Sequence, residues 1–152
     1  MVLTATIEGL DRLARKLHRL AGCTPKPVLA RLGEKNMLRV ERRAKQHCPV
    51  GVSRTGYTGG RLRTSIDTQA IETETGVEVR TGTNVEYGPF VEYGTGRRGA
   101  EAGVDHPGDY NYGPKPGMAP QPFLRPAWDE EKENVVKGLA NDLQKAVREA
   151  VQ

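Results

Sequence analysis

Ile66-Asp67-Thr68-Gln69-Ala70-Ile71-Glu72-Thr73-Glu74-Thr75-Gly76-Val77-Glu78-Val79-Arg80-Thr81-Gly82-Thr83, in one-letter form IDTQAIETETGVEVRTGT, separates an all-helical chain from a mixed one. Ile66–Thr73 and Val77–Thr83 are rich in Thr, Val and Ile. The run Val77 to Thr81 alternates strictly, which is the pattern of a half-buried strand. The spacing predicts two antiparallel strands joined by a turn around Glu74 to Gly76. Val77, Val79 and Thr81 are expected to lie on the helices, with Glu78 and Arg80 toward water.

Upstream, the pattern changes to a helical period. A short strand is expected at Val2–Thr6, then a helix with Leu10, Leu13, Leu17 and Leu20 on one face. Gly22 to Pro27 breaks it, and a second helix is predicted from about Val28 to His47, ended by Pro49. Leu29, Leu32, Gly33, Met37, Val40 and Ala44 make its apolar stripe. Arg31, Lys35, Arg39, Arg42 and Arg43 stack opposite. That basic stripe reads equally as a solvated helix face, because Lys and Arg are good helix formers, or as a surface for phosphate or an acidic neighbour.

Downstream, Val85 to Thr95 (VEYGPFVEYGT) allows a short helical turn. A long Gly- and Pro-rich loop is predicted over 96–121, with Tyr110 and Tyr112 near its middle. Loops of that length inside a compact domain tend to be functional. The last segment is a clear helix. Trp128, Val135, Leu139, Leu143, Ala146 and Ala150 share one face, Pro126 suits the first turn, and acidic residues from Asp129 to Glu133 crowd the N-terminal end.

The whole reads as a single α+β domain over 1–152. Its N-terminal helices and long C-terminal helix pack on a small antiparallel β-sheet, with one long Gly/Pro-rich loop. At 152 residues with 36% hydrophobic positions, one core is the expectation. No signal peptide or membrane span is readable, which points to an aqueous compartment. Cys23 and Cys48 are too few for a disulfide framework and read as reduced thiols, Cys48 as a small buried hydrophobe.

Residues 1–66 hold 14 Lys and Arg against 4 Asp and Glu, whereas residues 67–152 hold 9 against 15. Such a split suits a nucleic-acid face or head-to-tail attraction between copies. A convergent catalytic set does not assemble. His18, His47 and His106 lie in three elements with no metal or triad spacing. Gly94 to Gly99 (GTGRRG) lacks the Gly-Lys-Ser/Thr ending of a phosphate loop. The rival to a structural role is a basic nucleic-acid-binding module acting through the face of helix 28–47, although few aromatics interleave with its cations.

Four motifs stand in a fixed order: AKQHCPV (Ala44–Val50), GRLRTSI (Gly60–Ile66), VEYGPFVEYGT and QPFLRPA (Gln121–Ala127). This order, between N-terminal helices and a C-terminal helix, resembles the neck and tail-completion family of long-tailed bacteriophages, named for gene product ten of a lambdoid coliphage. Gly88 and Tyr93 depart from that family's alanine and phenylalanine. The resemblance implies a non-enzymatic virion protein of a tailed phage or prophage. It would act in tail completion at the joint between head and tail, assembled in the host cytoplasm, with no cofactor or metal and no membrane contact. The implied partners are further copies of itself in a ring and other neck, connector or tail proteins, with non-specific contact to DNA in the lumen. Arg31, Lys35, Arg39, Arg42, Glu92, Tyr110 and Tyr112 are the expected subunit or partner contacts. Tyr87, Phe90, Tyr93, Phe123 and Leu124 are the expected anchors of the loop.

Overall fold

In a computed structural model, residues 2–4, 26–51, 59–96 and 116–151 are described. Strand β1 (Val2–Thr4) is followed by helix α1 (Lys26–His47), the single turn α2 (Arg61–Thr64), strands β2 (Ile66–Glu72) and β3 (Val77–Thr83), the short helix α3 (Gly88–Tyr93) and helix α4 (Leu124–Val151). The helix expected through Leu10 to Leu20 lies outside the described residues, as do Cys23, Tyr110 and Tyr112. The class is α+β, as the alternation after Val77 requires.

The sheet has three strands in the order β1-β3-β2, all neighbours antiparallel. The hairpin register pairs Ile66 with Thr83 and Glu72 with Val77. Because side chains alternate across a strand, Ile66, Thr68 and Ala70 share one face with Val79, Thr81 and Thr83. That face carries α1. Val79 packs on the core and Thr81 is fully buried, with its Oγ1 2.9 Å from Thr68 Oγ1, so the hydroxyl is not stranded. Glu78 and Arg80, expected in water, are half-buried and pair with each other at 2.8 Å. The hydrogen bond to Arg80 holds the Glu78 carboxyl below its usual value.

β2 is an edge strand, and α1 covers part of that edge. The Ala70 N–H donates to Glu34 Oε1 at 2.9 Å, and Lys26 Nζ donates to the Thr73 carbonyl at 2.7 Å. Both contacts reduce the risk that an open edge pairs with another chain. The core lies between sheet, α1 and α4. Met37, Val40 and Ala44 of α1 meet Ile66, Val85, Phe123, Leu124, Ala127 and Val135. The GRLRTSI motif is therefore structural. Leu62 and Ile66 enter the core, and Ser65 Oγ joins the Leu62 carbonyl (2.8 Å) and Thr83 Oγ1 (2.5 Å) where turn becomes strand.

Helices α1 and α4 run antiparallel, because Asp142 contacts Lys35 and Asn36 while Glu130 contacts Arg43 and His47. Asn36, placed by its sequence among apolar neighbours, is buried at this seam. Its Nδ2 donates to the Leu32 carbonyl and to Asp142 Oδ2, both at 2.9 Å. Gly138 of α4 lies against it, and a Cβ there would collide with Asn36 Oδ1. The close approach of the two helices depends on that missing side chain.

Candidate functional site

Residues 85–96 and 116–127 form a clasp that joins the sheet to α4. α3 begins at Gly88 with Pro89 in its first turn and stops at Gly94. Gly88 and Glu92, four residues apart, share its inward side, while Tyr87 and Phe90, three apart, share its outward side. Of the expected anchors on this helix, Tyr87 is 38% and Phe90 41% exposed. Tyr93, Phe123 and Leu124 are buried. Tyr93 also lies under the Arg125 guanidinium, 5.6 Å from ring centroid to charge centre, in a cation–π contact.

Glu92, expected at a subunit surface, has no exposed area at all. Its carboxylate works inside the chain. Oε2 accepts the N–H of Phe123 at 2.7 Å and of Leu124 at 3.0 Å, and Oε1 accepts that of Arg125 at 3.0 Å. The four N–H groups at the start of a helix have no intrahelical acceptor. In α4 three of them go to one remote carboxylate, and the fourth position is Pro126, which has no N–H to satisfy. The negative charge also sits at the positive end of the helix dipole. The sequence carried a signal for this. Gln121-Pro122-Phe123 offers no Ser, Thr, Asp or Asn to cap the helix locally.

Beyond Glu92 the two strands of the clasp are sewn by backbone. Gln121 N–H donates to the Val91 carbonyl at 2.8 Å and Thr95 N–H to the Met118 carbonyl at 2.9 Å, while Thr95 Oγ1 accepts the Met118 N–H at 2.9 Å. Gly94 and Gly117 sit at this crossing with φ of 80° and 64°. A Cβ on Gly94 would lie 2.6 Å from the Met118 carbonyl oxygen, and one on Gly117 would overlap the Thr95 carbonyl. Glycine is thus required twice over, for conformation and for space.

The basic stripe of α1 divides in two. Lys35 and Arg43 lie at the α4 edge: Lys35 Nζ is 2.9 Å from Asp142 Oδ1, and Arg43 Nε is 3.0 Å from Glu130 and 3.6 Å from Glu131. His47 Nε2 is 3.0 Å from Glu130 Oε1. Hydrogen bonds from Lys35 and then Asn36 hold the Asp142 carboxyl below its usual value. Lys35, expected as a partner contact, is therefore engaged within its own chain. So is much of the acidic cluster that its sequence assigned to the dipole of α4. Arg31, Arg39 and Arg42 are exposed, and among the described residues they have no ion-pair partner. Leu38 lies exposed beside them at 47%.

Cys48 is free and buried, and burial pushes its thiol up to about 11, so at neutral pH it is an inert apolar group. Among the described residues no three His, Cys, Asp or Glu side chains are grouped to hold a metal ion, and no helix is long and apolar enough to cross a membrane.

Residues 11–94 match the family described as "Bacteriophage HK97-gp10, putative tail-component". The matched span exceeds half of the chain and ends at Gly94, on the near side of the clasp; α4 lies beyond it. No curated protein and no solved structure shows significant similarity to the chain.

Proposed function

This chain belongs to the HK97-gp10-like family of bacteriophage tail components, and we propose that it acts there without catalysis, as a structural subunit in tail completion and head-tail joining. Copies of it close into a ring that contacts neighbouring neck, connector or tail proteins. The observation that carries this reading is the row Arg31, Arg39 and Arg42 around Leu38. It is a charged surface with one apolar centre on a rigid helix, where the neighbouring cations Lys35 and Arg43 are already used inside the chain. Surfaces of that composition suit protein contacts, in which arginine is enriched. Tyr110 and Tyr112, which lie in sequence between the two halves of the clasp, belong to the same proposal as partner contacts.

Cryo-electron microscopy of the assembled particle tests it, with the chain expected as a ring at the head-tail joint. Removal of the chain should leave heads and tails unjoined. Joined, complete particles without it would overturn the reading.

The same three arginines, without an ion-pair partner among the described residues, support a second reading, non-specific DNA binding through the α1 face. It predicts affinity for duplex DNA that falls steeply with salt, since each neutralised phosphate releases counterions. Absence of binding at low salt removes it.

A further inference from the structure

With the α1–α4 seam satisfied, charge of opposite sign without an ion-pair partner among the described residues remains on the outward side of α1 and on the β2–β3 hairpin, apart from Arg61, Arg63, Glu86 and Arg148 elsewhere. α1 packs on one face of the β2–β3 hairpin, so its outward side and the hairpin's far face are opposite surfaces of a two-layer unit. The outward side of α1 presents Arg31, Leu38, Arg39 and Arg42. The far face of β2 presents Asp67, Gln69 and Ile71; at the turn end of the hairpin Glu74 and Glu72 add two more carboxylates, Glu72 at the α1-side rim of the strand, all exposed. Among the described residues neither the three arginines nor the three carboxylates have an ion-pair partner. Asp67 accepts only a hydrogen bond from Gln69 at 3.2 Å. Each surface also has one exposed aliphatic side chain, Leu38 at 47% and Ile71 at 39%.

We infer that these surfaces are the two sides of one heterologous contact between copies of this chain. Arg31, Arg39 and Arg42 of one copy face Asp67, Glu72 and Glu74 of the next, with Leu38 and Ile71 meeting between them. The inference rests on the ring reading above and names its surfaces. A second copy is the occupant that uses both surfaces at once. Duplex DNA would neutralise the arginines but leave Leu38 in a polar groove and the carboxylates without a role. Opposite, unlike surfaces generate rings when the rotation between copies closes. Complementary charge then fixes register and excludes the reverse pairing.

The test reverses each surface in the full chain as it assembles in the phage. R31E/R39E/R42E makes both surfaces acidic, and D67K/E72K/E74K makes both basic. Each alone should lower the yield of joined particles by on the order of 100-fold or more, because like charges then meet across every contact. Supplied together they should restore it in a ring with an even number of copies, alternating around it, since each variant's α1 then matches the other's hairpin. A chain carrying all six reversals should likewise restore it. All six positions are exposed, and unchanged melting of each purified variant confirms that the fold is intact.

Single-surface reversals that enter rings at wild-type copy number would overturn the inference and leave the ring standing. A chain with all six reversals that fails as the single-surface variants do would overturn it in favour of another partner for the α1 face. A wild-type particle that holds one copy of the chain would overturn the ring and, with it, this contact.

Discussion

Two of the carboxylates that hold α4 against the rest of the protein, Glu92 and Asp142, differ in almost everything except charge. Glu92 is fully buried, accepts three backbone N–H groups and fixes the first turn of the helix. Asp142, near the other end, is partly exposed and takes a Lys35 ammonium and the Asn36 amide. A buried charge is tolerable only when its lone pairs are fully used, and removing it then strands every donor it served. An exposed ion pair gives little, because water and salt compete for both partners. The clasp is therefore expected to be a point on which folding depends, and the seam a place where the two helices are aligned at small cost.

The largest expected effect follows from Glu92→Ala. Three N–H groups in a water-poor site lose their acceptor together, and at about 1–3 kcal/mol for each stranded donor the loss should reach several kcal/mol. Chemical denaturation of the purified chain measures it. Glu92→Gln should cost somewhat less, since one amide oxygen can still serve Phe123 and Leu124 while the new NH2 opposes the Arg125 N–H. If Glu92→Ala destabilised no more than Asp142→Ala, the contrast between buried and exposed anchors would collapse.

Gly117→Ala comes next. It combines a φ of 64° with a Cβ driven into the Thr95 carbonyl, for a cost of about 1–3 kcal/mol. The clasp should loosen locally, so hydrogen exchange at the Thr95 and Met118 amides is expected to quicken more than exchange in β3. Uniform quickening would mean that the crossing is not an independent joint. Gly138→Ala tests the seam by the same logic. Asn36 must move to admit the methyl group, and a loss of about 1–2 kcal/mol is expected in denaturation. A neutral result would show that the seam absorbs a methyl without strain.

How much of this was legible in the sequence follows the range of the interactions. The hairpin, the α1 stripe through Gly33, Met37, Val40 and Ala44, and the inward face of α4 through Val135, Leu139 and Leu143 are periodic signals over neighbouring residues, and they reappear in the fold. Glu92 was visible only as one more acid near an aromatic cluster, because the amides it caps lie 31 to 33 positions later. Tyr87 and Phe90 were expected as anchors of the loop, on a short helical turn over Val85 to Thr95. The phase of a six-residue helix turns them outward, and nothing local fixed that phase. The division of the α1 cations likewise needed the position of α4. Lys35 and Arg39 are four residues apart on one face, yet only Lys35 reaches a carboxylate of α4.

The smallest effect is the one with a distinct signature. Asp142→Asn keeps the shape of the side chain and removes its charge, so the expected loss at neutral pH is below about 1 kcal/mol, as for other exposed pairs. Its dependence on pH separates it from a packing effect. Lys35 and Asn36 hold the folded carboxyl below the unfolded value of about 4, so the stabilisation is complete above that value. It then declines as acid protonates the group and is gone below the folded value. Stability curves of the wild type and of Asp142→Asn should therefore run parallel from neutral pH down to about pH 5 and converge in stronger acid. Added salt should narrow the gap at neutral pH, since Lys35 is exposed and its charge is screened. A gap that persists unchanged into acid would assign the role of Asp142 to its fit in the seam rather than to its charge, and would make the seam more like the clasp than the two carboxylates' surroundings suggest.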